Sequence, residues 1–141
     1  MKGRDVLLVM RGKEPGYGEW SIPGGAIHVG ETMEQAVVRE ISEEVGILTD
    51  PVQLVGILDR IIHDERGMVR YHYVLLDFLC LYRSGKAKPG SDVLEARWVR
   101  DAELGGYALP EETEEVIRKG LEVAGSILLG RKKKPVKTTG S

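Results

Sequence analysis

Apolar positions fall into runs whose period changes along the chain. Asp5 to Arg11 is a short, nearly continuous apolar run followed by Gly12, Pro15, Gly16 and Gly18, which predicts a strand and then a loop. Trp20-Ser21-Ile22 predicts a second short strand, stopped by Pro23-Gly24-Gly25. Beyond Thr32 the period lengthens: Val37, Val38, Ile41 and Val45 occupy one arc of a helical wheel, with Gln35, Arg39 and Ser42 on the far polar side. Thr32 and Gln35 have the spacing of a capping box, and Gly46 suits the left-handed residue that closes a helix, so the helix is predicted from Thr32 to Gly46.

From Val52 to Tyr82 the chain is rich in Val, Ile, Leu, Tyr and Phe and is interrupted once, at Asp64-Glu65-Arg66-Gly67, the signal of a long β-hairpin. Glu95 to Val99 predicts a further strand, with Trp98 as a large buried anchor. A last helix is expected from about Pro110, whose fixed φ suits a first turn; Glu111, Glu112, Glu114 and Glu115 then complement the positive end of its dipole. Val116, Ile117, Leu121, Ala124, Ile127 and Leu128 make its apolar stripe. The organisation expected is one domain over residues 1–128, followed by a basic, flexible tail over residues 129–141 that includes Arg131 to Lys134.

Composition narrows the partners. The 141 residues, 42% hydrophobic, suffice for one core and leave little for a second. The 20 basic and 22 acidic residues are interspersed and net −2, so no broad positive field exists to hold a nucleic-acid polymer. Cys80 is the lone cysteine, which excludes a disulfide within the chain, and no apolar run approaches the roughly 20 residues of a membrane span. The opening MKGRDVLLVM has no secretory pattern, and a reducing, cytoplasmic setting is expected.

The candidate chemistry lies on the first helix. At about 100° per residue, Glu40, Glu43 and Glu44 fall on one face at i, i+3, i+4 spacing, bordering the apolar arc. Three carboxylates so close repel one another, and they sit where the helix dipole also disfavours anions. A hard divalent cation answers both costs, so the stripe reads as a Mg²⁺ site, with Mn²⁺ as the alternative ion. Arg39 can pair with Glu43 four residues on and steady a ligand. Gly24 and Gly25 allow the backbone to approach a metal or phosphate closely.

Residues 25 to 47, GAIHVGETMEQAVVREISEEVGI, satisfy the pattern Gly-x5-Glu-x7-Arg-Glu-U-x-Glu-Glu-x-Gly-U without exception. Its seven fixed letters are Gly25, Glu31, Arg39, Glu40, Glu43, Glu44 and Gly46, with Ile41 and Ile47 at the apolar U positions. Chance would supply such a match on the order of once in a hundred million starting points. The chain therefore resembles the Nudix hydrolases, and within them the MutT-like and small ADP-ribose pyrophosphatase-like members. The resemblance implies an α/β fold with a mixed, twisted sheet between helices. It also implies Mg²⁺-dependent attack of water on the pyrophosphate linkage of a nucleoside diphosphate joined to a further group, such as ADP-ribose or a nucleotide sugar, or of a nucleoside triphosphate, releasing a nucleoside monophosphate.

On that resemblance Glu40, Glu43, Glu44 and the Gly25 carbonyl are the expected metal ligands, with Arg39, Glu31 and Gly24 in support. Glu44, then Glu43, is the expected general base; Glu95 and Asp92, ahead of Trp98, stand where relatives often place an extra acid. Arg11, Tyr17, Trp20 and His28 are candidates for substrate contact, although a core position is the favoured reading of Trp20. Arg60 and Arg70, on opposite arms of the hairpin, could meet phosphates, whereas His28, His63 and His72 lack metal-ligand spacing. The rival reading, a nucleotide-binding sensor or partner module without hydrolysis, is marked by lost box carboxylates, and none is lost.

Two departures stand out. The subgroup markers about sixteen positions after the box are absent, since that region reads Ile61-Ile62-His63-Asp64-Glu65. Ahead of Asp5 there is only MKGR, where Nudix domains usually carry another apolar strand; an uncovered sheet edge would favour a homodimer or coverage by the tail.

Overall fold

The structure is a computed structural model and describes residues 1–133. Chain order is β1 (Asp5–Arg11), β2 (Trp20–Ser21), α1 (Met33–Val45), β3 (Leu48–His63), β4 (Val69–Ser84), β5 (Val93–Arg100), a 3-10 turn (Asp101–Gly106) and α2 (Glu111–Lys133). The expected α/β sandwich of sheet between helices is present, its strands forming two antiparallel sheets, β2-β1-β5 and β3-β4. Between β1 and β5 the register runs from Asp5 opposite Arg100 to Met10 opposite Glu95, then shifts so that Arg11 faces Val93.

Both sheets are held between the same two helices, because alternate side chains of each strand point to opposite faces. Leu7 and Val9 join Ile41 and Val45 of α1, with Ile47 and Cys80, in one buried cluster. Val6 and Leu8 turn the other way and meet Val99 and Ile117 of α2. The roots of β3 and β4 repeat the scheme: Val55 and Leu79 pack on Ala124 of α2. Leu8, Val45 and Val99 are the largest fully enclosed side chains, each contributing about 1.5–3 kcal/mol by burial.

Several expectations are revised. Strands β3 and β4 begin earlier and end later than Val52 to Tyr82, because bulges at β3 break the alternation that marks a strand. Trp98 is half-buried rather than an enclosed anchor, stacked edge-on to Tyr82 at 5.6 Å; the neighbouring Val99 is the enclosed residue. Helix α2 continues past Leu128 to Lys133, so the basic stretch begins inside it, and residues 134–141 of the expected tail lie outside the described residues. No strand precedes β1 among the described residues, and β1 is the central strand of its sheet, between β2 and β5. Among the described residues β3 and β4 each keep an outer edge, and on that of β4 the Met1 amine donates to the Cys80 carbonyl and Tyr82 N donates to the Met1 carbonyl (2.8 Å).

Candidate active site

Helix α1 is fixed at both ends by local bonds. Gln35 N donates to Thr32 Oγ1 (3.1 Å) and Thr32 N to Gln35 Oε1 (2.9 Å), the expected capping box. Gly46 closes the helix at φ 70°, with its N–H on the Ser42 carbonyl. The carbonyls of the last turn are answered by the segment that leads into β5: Gly90 N donates to Glu44 O (2.6 Å) and Lys88 N to Val45 O (3.0 Å). Those amides offset the negative end of the dipole beside the acidic stripe.

Arg39 is the hub of the site. Its Nε donates to Glu31 Oε2 (2.6 Å), Nη2 to Glu31 Oε1 (3.0 Å) and to the Ala26 carbonyl (2.7 Å), and Nη1 to Glu40 Oε1 (2.7 Å) and Glu43 Oε2 (3.1 Å). The helical wheel sets Arg39 on the far polar side, yet its long side chain reaches back and joins the loop before α1 to the acidic face. The Arg39 hydrogen bonds hold the Glu31 carboxyl down at about 2, with the His28 backbone amide (2.8 Å) acting in the same direction. Arg39 is in turn held above its ordinary range by its bonds to Glu31 and Glu40.

Glu40 lies against Gly25 so closely that a Cβ there would stand 2.2 Å from its carboxyl carbon. Only glycine admits that approach. Glu44 accepts from Gly24 N (3.0 Å). Burial pushes the Glu44 carboxyl up to about 7; the Gly24 hydrogen bond opposes this, the Glu40 charge adds to it, Arg11 opposes it and Asp92 adds to it. Arg11 and Asp92 thus sit within electrostatic range of Glu44. Arg11 Nε is also tied to the Pro15 carbonyl (2.7 Å), and Asp92, at φ 58°, accepts from Gly12 N (2.9 Å) and pairs with Lys13 (3.1 Å).

The other expected residues are spread out. Glu95 pairs with Arg97 (2.7 Å) on β5. Trp20 packs in the α2-side cluster, edge-on to Tyr107 at 5.1 Å with Arg97 over its ring, which is the core reading. Tyr17 is exposed, and the His28 ring points to solvent. Arg70 lies over Tyr71, and Arg60 faces Tyr73 on the distal hairpin. Asp92, one of the two extra-acid candidates, lies within electrostatic range of Glu44, whereas the contact of Gly90 with the last turn of α1 was not anticipated.

No group of three or more His, Cys, Asp or Glu side chains among the described residues is arranged as a formed metal site. Arg39 draws Glu40 and Glu43 together while Gly24 holds Glu44. The donor set itself is hard and all-oxygen, and the missing Cβ at Gly25 keeps the loop close to the carboxylates; both features fit Mg²⁺ or Mn²⁺.

This box, carried on a helix packed against a sandwiched pair of sheets, defines a class. Residues 1–122 match the family model for the NUDIX domain, and the chain belongs to the Nudix family. Among relatives, it is 36% identical over 97 residues to the ADP-ribose pyrophosphatase of Methanocaldococcus jannaschii, covering 69% of this chain and 55% of that one. It is 33% identical over 98 residues to the 8-oxo-dGDP phosphatase NUDT18 of Mus musculus, covering 67% of this chain and 28% of that one. The chain thus spans between about a quarter and about half the length of these relatives. Among solved structures, the NUDIX domain of Shewanella oneidensis NrtR complexed with ADP ribose superimposes with a TM-score of 0.69 at 24% identity, over 84% of this chain and 77% of that one. The MutT NUDIX hydrolase of Burkholderia pseudomallei gives 0.66 at 26% identity, over 84% and 90%. No helix among the described residues is long and apolar enough to cross a membrane.

Proposed function

We propose that this protein hydrolyses the pyrophosphate linkage of a nucleoside diphosphate joined to a further group, with ADP-ribose-like molecules and nucleotide sugars as the leading substrates and nucleoside triphosphates next. One observation carries the reading: all seven fixed residues of the box are present, and the loop and helix that hold them are locked together through Arg39, Gly25 and Gly24.

Glu40, Glu43, Glu44 and the Gly25 carbonyl are the groups that would hold Mg²⁺ or Mn²⁺. Such an ion supplies charge neutralisation for the diphosphate and acidifies a bound water. Glu44 would take the proton of the attacking water; burial raises its carboxyl to about 7, and a bound cation would draw it back toward the ionised form that a base needs. Glu43 is second choice, being exposed and tied to Arg39. Asp92, near Glu44, and Glu95, engaged by Arg97, are the further acid candidates in that order. Arg11 offers a cation for substrate phosphate, with Tyr17 and His28 as exposed neighbours of the loop.

The test is a panel of ADP-ribose, nucleotide sugars, dinucleoside polyphosphates and nucleoside triphosphates, with products resolved by chromatography, with and without Mg²⁺. Metal-dependent release of a nucleoside monophosphate from one class is expected. Tight binding of one member with no turnover across the panel would replace this reading with a nucleotide-binding module.

A further inference from the structure

The connection from β4 to β5, residues 85–92, lies along the C-terminal end of α1 at three points. A Cβ added at Gly85 would stand 2.8 Å from the Gly46 carbonyl oxygen. Lys88 N donates to the Val45 carbonyl (3.0 Å), and Gly90 N donates to the Glu44 carbonyl (2.6 Å). Between the first two points Ala87 packs against the buried cluster of Leu7, Val9, Ile41 and Val45. The connection is thus a strap, rooted in the core at its middle and laid over the turn that carries Glu43 and Glu44.

Gly90 makes the tightest of these contacts. A Cβ there would run into the Glu43 carbonyl oxygen and stand 2.7 Å from that of Glu44. Both are backbone atoms of a helix, which cannot turn aside as a side-chain tip can. Beyond Gly90 the strap is held from the loop that follows Arg11. Gly12 N donates to the Asp92 carbonyl (2.9 Å), and Lys13 pairs with the Asp92 carboxylate (3.1 Å). Glu44 is therefore gripped at two levels, its carboxylate by Gly24 N (3.0 Å) and its backbone by Gly90 N.

We propose that Gly90 is a positioning residue for the box carboxylates. Through it the strap bears on the Glu43 and Glu44 carbonyls and sets how far the last turn of α1 stands from the Gly24–Gly25 loop. The inference rests on the Mg²⁺ or Mn²⁺ site of the proposed function. Ligands must be held within about 0.5 Å of their working places, so a small shift of this turn costs metal affinity before it costs fold. Because Gly12 leans on the same strap, a disturbance in the loop after β1 reaches the carboxylates without touching α1.

Mn²⁺ binding, followed by the electron paramagnetic resonance of the free ion, reads the site without turnover. Gly90→Ala is expected to weaken binding about tenfold and to lower kcat more than it raises KM. Gly12→Ala, whose added carbon meets the Asp92 carbonyl at 3.1 Å, is expected to weaken binding about two- to threefold with melting unchanged. Gly105→Ala, whose added carbon meets nothing within 4 Å, should match the parent. A folded Gly90→Ala variant with the parent's Mn²⁺ affinity would overturn the proposal. If Gly90→Ala does not fold, Gly12→Ala decides alone: the parent's affinity there overturns the proposal, and a weakened one with unchanged melting upholds it. A parent that binds Mn²⁺ but hydrolyses nothing would remove the proposed function and leave this role standing, whereas a parent that binds no Mn²⁺ would remove both.

Discussion

The box and the distal hairpin are both exposed, and they are held by opposite means. In the box, Ile27 is 50% exposed and the Val29 side chain lies wholly in solvent, so little apolar burial fixes the loop. Its shape comes from directional bonds: Arg39 ties Glu31, Glu40, Glu43 and the Ala26 carbonyl together, and Gly24 holds Glu44. The hairpin has a full backbone ladder and many apolar side chains but few side-chain bonds, His72 to Asp59 (2.8 Å) being one. A charged network therefore gives a small region one geometry, while an apolar ribbon gives shape without choosing its cover. Single polar substitutions should disable the box, and comparable changes on the hairpin should leave the chemistry alone.

The largest effect is expected at Glu44. Glu44→Gln keeps the Gly24 hydrogen bond within reach of a side-chain oxygen but removes the proton acceptor; kcat should fall by about a hundredfold or more with melting unchanged. Near-normal turnover would take Glu44 out of the mechanism. Next comes Arg39→Gln, which loses bonds to three carboxylates and to Ala26; kcat/KM should fall about 10–100-fold, and more metal should be needed for half-maximal rate. Arg60→Gln is the matched change on the hairpin, where Arg60 has no ion pair among the described residues, and activity within about twofold of the parent is expected there. A large loss from Arg60→Gln would break the comparison and bring the hairpin into the substrate site.

Gly25→Ala is the third in size. The added carbon would stand 2.2 Å from the Glu40 carboxyl carbon, so the carboxylate must swing away from the loop. About a tenfold drop in kcat/KM with weaker activation by Mg²⁺ is expected, because a displaced ligand costs affinity before it costs fold. An unchanged metal titration would show that Glu40 can move without consequence.

What could be read from the chain was what depends on near neighbours. Thr32 with Gln35, Gly46 and the i, i+3, i+4 acids fixed the ends and the active face of α1 because caps and helical periodicity act within a few residues. Hidden features all involve distant segments or long side chains. The reach of Arg39 to Glu40 and Ala26 depends on a rotamer that a helical wheel ignores. The crossing of Gly90 over the last turn of α1, which brings Asp92 near Glu44, joins residues more than forty apart in sequence. The division into two sheets turns on strand pairing that alternation cannot supply, and the bulges in β3 blurred the alternation itself.

The smallest effect tests whether the network is needed for folding as well as for geometry. Glu31 titrates at about 2 in the folded protein against 4.5 for a free side chain, chiefly because Arg39 donates to its carboxylate. A depressed carboxyl stabilises the fold fully above 4.5, and the contribution is lost as pH falls toward about 2. Glu31→Gln should therefore lower the melting temperature slightly at neutral pH and flatten its decline between those two values, so that mutant and parent converge in acid. The pair is partly open to solvent, so added salt should narrow the difference at neutral pH as well. If the two melting curves stay parallel across the whole acid range, the Arg39 bonds set the position of the loop without contributing to folding stability, and the contrast with the ladder-held hairpin becomes one of geometry alone.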